Sequence, residues 1–177
     1  MQHPVDICHV EATSNVGVGR RRAQSSESGR ARPRPSGVDS TDVELLQESF
    51  GKAAPIATTV VDLFYERLFA LLPESRAMFP DDLRLHKRKL IGALRFVVHN
   101  LRTPSTLRPV LEDLGRRHAA YGVTAHHYDV AGVALLHALE QGLGGAWNER
   151  LEQAWTKAYL LVADTMSGAD DTPTTTA

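Results

Sequence analysis

From residue 41 to residue 168 the apolar side chains recur at intervals of three and four, and no stretch alternates at the period of two that a half-buried strand requires. Such a chain can bury its apolar stripes only by packing helix against helix, so the fold class is all-α. Its 177 residues suit one core. Thr41 and Glu44 make a capping-box pattern ahead of Val43, Leu46 and Phe50 and predict a first helix there. A second is predicted from about Pro55 to Leu72, with Val60, Val61, Phe64, Leu68 and Leu72 on one face and Pro73 closing it or opening the next turn. Glu74 to Phe79 reads as a short helical turn. Further helices are predicted over about 82–101, 106–121, 125–142 and 147–167, with Thr103-Pro104 ending the first of these and Gly142 and Gly144-Gly145 separating the last two.

The flanks differ. Residues 1–40 contain Arg20-Arg21-Arg22, a serine-rich stretch and Arg32-Pro33-Arg34-Pro35, with few large apolar side chains, and read as a disordered, mildly basic arm. Residues 169–177 read as a flexible tail, which leaves 41–168 as the folded domain. Twenty lysines and arginines against 21 acids leave no basic excess for a nucleic-acid partner. No run approaches the roughly 20 apolar residues of a membrane span, and the N-terminus lacks a secretory pattern. Cys8 is the only cysteine, so no internal disulfide and no cysteine-based cluster can form. A cytoplasmic protein, monomeric or homodimeric, is the expectation.

Two apolar stripes carry a histidine each. On the helix over 82–101, Leu90, Leu94, Val97, Val98 and Leu101 share a face that one turn back from Leu90 reaches His86. On the next helix Leu107, Val110, Leu111 and Leu114 lead to His118, with Tyr121 beyond. The turn between them centres on residue 102, so the two histidines lie sixteen positions either side of it, each about 24 Å away along its helix. In an antiparallel or V-shaped pair they would face each other across room for a flat apolar ligand, and imidazole is a natural ligand of haem iron. Either histidine alone reads better as a core-edge residue bonded to backbone; the pairing is what points to a ligand.

The same residues resemble the globins, in particular bacterial single-domain haemoglobins and the globin half of flavohaemoglobins, over about Val43 to Thr165. Leu63-Phe64-Tyr65-Glu66-Arg67-Leu68-Phe69 with Leu72-Pro73-Glu74-Ser75-Arg76-Ala77-Met78-Phe79 resembles the segment bearing the distal tyrosine, the corner proline and a haem-packing phenylalanine. Leu114-Gly115-Arg116-Arg117-His118 with Tyr121-Gly122-Val123 resembles the proximal-histidine motif, and the 32 residues back to His86 match the family's distal-to-proximal spacing. Ala154-Trp155-Thr156-Lys157-Ala158-Tyr159 resembles the final helix.

The resemblance implies a three-over-three helical sandwich around haem b, with His118 as proximal ligand, Phe79 and Leu90 packing on the porphyrin, and Tyr65 and His86 facing a bound gas. Two departures bear on function. Bacterial relatives with this tyrosine usually carry glutamine where His86 stands, and histidine there permits ligation of the iron itself. Tyr128 matches the tyrosine that helps polarise the proximal histidine, but the accompanying glutamate position falls on Asp170, a shorter acid. His99, His126, His127 and His137 match no role and read as surface or satisfied polar groups.

The resemblance therefore implies a haem protein that reversibly binds O2, NO or CO for oxygen supply or gas handling. Nitric oxide dioxygenation, with a separate reductase as partner, is the alternative. A gas sensor or a haem-free helical adaptor is a third reading, and peroxidase chemistry fits poorly with the doubtful proximal acid.

Overall fold

The computed structural model describes residues 37–168. The disordered arm expected for 1–40 falls almost wholly outside these residues, as do the tail expected for 169–177 and Asp170.

Helix α1 spans Ser40–Ala53, α2 Ala57–Leu71, α3 Arg84–Asn100, α4 Pro104–Ala120, α5 Ala125–Leu143 and α6 Glu149–Ser167, joined in part by 3-10 turns at Ala54–Ile56, Pro73–Met78 and Gly144–Ala146. No strand occurs among the described residues. The first helix is capped earlier than Thr41 and Glu44 suggest: Asp39 accepts from the Asp42 N–H and the Asp42 carboxylate reaches back to the Asp39 N–H. Aspartate competes well for an N-cap, and the box it makes engages Asp42, which also has a second task. Gly142 does not separate helices; it lies inside α5, and the chain turns at Gly144, whose φ of 50° is left-handed.

The six helices form the globin-like three-over-three sandwich. Helix α2 packs along α5, α4 along α6, and α1 bridges α6, α3 and α5. Glycine sets the closest crossing. A Cβ on Gly115 of α4 would sit 2.1 Å from the Met166 carbonyl oxygen of α6, so the two backbones meet where no side chain fits. Leu46, Val61, Val98 and Leu139 are fully buried between the layers. The Trp155 indole N–H donates to the Ser49 hydroxyl, which in turn donates to the Leu46 carbonyl, so a buried polar edge is satisfied within the core.

Asp42 fastens α1 to α6. Its side chain is fully buried, yet Lys157 lies 2.9 Å from one carboxylate oxygen and Arg150 3.0 Å from the other. Burial pushes its pKa up, but the Lys157 hydrogen bond, the backbone bond at Asp39 and the two positive charges outweigh this and hold it below the usual carboxylate value. Removing one partner of a buried pair typically costs about 3 to 5 kcal/mol, and partial exposure of both cations reduces the expected loss here to about 2 kcal/mol. Because the folded pKa is the lower one, this stabilisation is complete above the unfolded value of 3.8 and disappears as pH falls towards the folded value. Urea unfolding of Asp42→Asn should therefore show the deficit at neutral pH and a much smaller one near pH 3. Equal deficits at both would dismiss the charge as its source.

Candidate functional site

An apolar cavity of about 220 Å³ lies between α2, α3, α4, α5 and α6. Its lining brings together Tyr65, Phe79, Leu90, His118 and Tyr128, drawn from four helices and the corner after α2. His86 is buried but is not part of that lining; its ring stands edge-on to Phe79 at 5.8 Å. The stripe of α3 meets the cavity through Leu90, Leu94 and Val97, and the turn that carries His86 rests on the corner that follows α2 instead.

His118 occupies the last turn of α4. Its Nδ1 lies 2.9 Å from the Leu114 carbonyl oxygen. A carbonyl can only accept, so Nδ1 holds the proton and Nε2 is left with a lone pair. Burial lowers the pKa of the ring, the Leu114 hydrogen bond works against this, and the neighbouring Arg117 charge lowers it further. The imidazole is thereby kept neutral and oriented, as a metal ligand must be. Tyr128 stacks on it with ring centres 6.2 Å apart and planes 21° from parallel.

The Tyr128 position is itself braced, a feature absent from the linear pattern. The Tyr159 hydroxyl of α6 donates to the Tyr128 carbonyl. Burial raises the Tyr159 pKa, with Tyr128 and Asp129 adding to the rise, so the phenol remains a donor. Room for that ring depends on Gly132, where a Cβ would lie 2.6 Å from Tyr159. The only linear signal is a glycine one turn after Tyr128, and it does not name its partner on another helix. His127 also belongs to the lining. Its Nδ1 closes the α5 capping box with Thr124, so it is a satisfied polar group, as expected, but one at the wall of the cavity.

On α2, Tyr65 is buried in an aromatic cluster, 5.1 Å from Phe64, 5.8 Å from Phe69 and 5.6 Å from Phe79. Arg76 lies over the Phe69 ring and donates to the Phe79 and Pro80 carbonyls at 3.1 Å each, which secures the corner that delivers Phe79. The site is thus an apolar slot with a neutral imidazole at one wall and a phenol among its lining groups. Among the described residues no group of three or more His, Cys, Asp or Glu could hold a bare ion. A metal here would have to bring most of its ligands, and a porphyrin does so with an apolar body that suits this lining.

The family model described as Globin matches residues 62–166. The flavohaemoprotein of Chromobacterium violaceum is 35% identical over 112 residues, covering 61% of this chain and 28% of its own length. That of Bacillus subtilis is 27% identical over 136 residues, covering 75% of the chain and 34% of its length. The chain thus spans about a third or less of these relatives. Among solved structures, a bacterial globin of Campylobacter jejuni superposes with a TM-score of 0.67 at 20% identity, over 75% of this chain and 96% of that one. An engineered carbene transferase, made from a candidate nitric oxide dioxygenase of Rhodothermus marinus, gives 0.66 at 28% identity, over 73% and 91%.

The pKa of His118 is displaced downward from 6.5, so proton uptake by the unfolded chain should cost stability as pH drops below that value. In haem-free protein, NMR titration should place its ring midpoint below 6.5, and His118→Gln should flatten the stability profile as pH falls below 6.5. A midpoint at or above 6.5 would remove burial as the dominant influence.

Proposed function

The chain belongs to the globin family, and on that premise we propose that it holds one haem b, with His118 as its proximal ligand, and reversibly binds O2, NO or CO. The observation that carries this reading is the neutral, backbone-oriented His118 at the wall of an apolar slot whose lining also includes Tyr65. When bound, the haem would supply an iron whose porphyrin leaves positions for a protein ligand and a diatomic gas, and at which NO and O2 can be joined to nitrate if an electron is returned each turnover. Phe79 and Leu90 would exclude water and supply apolar contact, and attachment would be non-covalent because Cys8 is the only cysteine. The Tyr65 hydroxyl would donate to the partly negative gas in this dry surrounding. Tyr128 would keep the His118 ring in its plane.

The flavohaemoprotein relatives and the dioxygenase origin of one structural neighbour favour nitric oxide dioxygenation as the second reading, with a separate reductase protein as the electron source. His86 would tune either activity. From its place against Phe79, a small shift of α3 would be needed before it could ligate iron, and until then it is a packing group. No helix of the described residues is long and apolar enough to cross a membrane.

The first test is the visible spectrum of the ferric and dithionite-reduced protein, with and without CO. A Soret band is expected in wild type and should be lost or strongly altered in His118→Gly; no band after haem addition would refute haem binding and leave a helical adaptor. Sharp, split visible bands in reduced protein that broaden in His86→Ala would reveal iron ligation by His86. Tyr65→Phe should release O2 about tenfold faster, the equivalent of one hydrogen bond of roughly 1.4 kcal/mol, in stopped-flow measurements. An unchanged rate would assign Tyr65 to packing alone.

A further inference from the structure

Helix α3 carries Arg84, Lys87, Arg88, Lys89 and Arg95 and no acid. The rest of residues 37–168 holds nine lysines and arginines against sixteen acids, so the body behind α3 is seven charges negative. The exposed residues of α3 are Arg84, Leu85, Arg88, Gly92, Arg95 and His99. From Leu85 onward they fall three and four apart and form one face, about 21 Å long at 1.5 Å per residue. Arg84 is tied to Asp82 and Lys87 to Asp62, and Asp82 also lies close enough to feel Arg88. Arg88 and Arg95 make no ion pair among the described residues. At Gly92, between them, an added Cβ would meet nothing within 4 Å, so the face is open at its middle.

The opposite face of the same helix lines the cavity through Leu90, Ala93, Leu94, Val97 and Val98. A molecule seated on the exposed face is therefore separated from the cavity by one helix, about 10 Å in diameter. We propose that this face is the docking surface for a compact, acidic one-electron carrier protein, of flavin or iron–sulfur type. The step it would serve moves one electron: the carrier would be oxidised by one, and the haem proposed for the cavity would be reduced by one. This rests on the haem reading above and adds to it the place and the charge of the reductase. A long polyanion such as a nucleic acid, or an anionic bilayer, would extend past the narrow basic face onto the negative body and be repelled there, whereas a small acidic protein can meet the face alone. Steering by charge with little buried area gives a complex that forms fast, stays weak and is screened by salt, as electron-transfer encounters are.

The test measures binding of the full chain to two acidic probes, a plant-type ferredoxin and a flavodoxin, by microscale thermophoresis. Binding of at least one is expected at about 20 mM salt, at least tenfold weaker at about 200 mM, and at least tenfold weaker at low salt in Arg88→Glu/Arg95→Glu. Both sites are exposed, and an unchanged melting curve in the double variant verifies that it folds. The rate of haem reduction by the bound carrier should fall in the same variant. No binding to either probe, or equal binding by the double variant, overturns the proposal. So does tighter Arg88-dependent binding to a short DNA duplex or to phosphatidylserine vesicles. Carrier binding through Arg88 and Arg95 in a protein that takes up no haem would overturn the cavity reading and the electron step, and would leave a protein-docking face.

Discussion

The approach of α4 to α6 is the constraint on which the site depends. At Gly115 the Met166 carbonyl stands where a Cβ would be, so α4 comes in until backbone meets backbone. His118 comes three residues later, close to one turn on, and its height above the cavity floor is set by that contact. Any bulkier residue at 115 would lift the helix and carry the imidazole away from the groups on α2 and α3. Ala158, Val162 and Met166 of α6 then line the space that the crossing leaves.

Around that frame the cavity lining is almost wholly apolar, and several of its few polar groups are already engaged. His118 spends one nitrogen on Leu114, His127 spends one on the α5 cap, and Tyr159 donates to Tyr128. Satisfied polar atoms lose little on burial, while an unsatisfied one would draw in water. The second imidazole nitrogen of His118 is therefore the distinctive chemical feature of its wall. Bracing by Tyr128 and Tyr159 from two other helices means that the orientation of the His118 ring does not rest on α4 alone.

Charge is distributed on the same principle of separate tasks. The buried Asp42 joins α1 to α6 and contributes to stability. The cations of α3 contribute nothing comparable, since the pairs they make are exposed and such pairs are worth little. Helix α3 is apolar on its inner face and carries Arg88 and Arg95 on its outer one, so a single helix stands between the cavity and solvent on that side.

The helical class is legible in the linear pattern, because periodicity records which face of each helix must be dry, and so are five of the residues that gather at the cavity. Tyr65, Phe79, Leu90, His118 and Tyr128 stand out through their spacing and their resemblance to the globins. Packing alone turns His86 to Phe79 rather than to the lining, since a shift of one helix relative to another leaves no trace in periodicity. The same holds for Gly132 accommodating Tyr159, for Asp42 finding Lys157 and Arg150, and for Asp39 taking the cap for which Thr41 is also suited. Linear pattern dictates which side chains share a face; packing between helices dictates which of them meet.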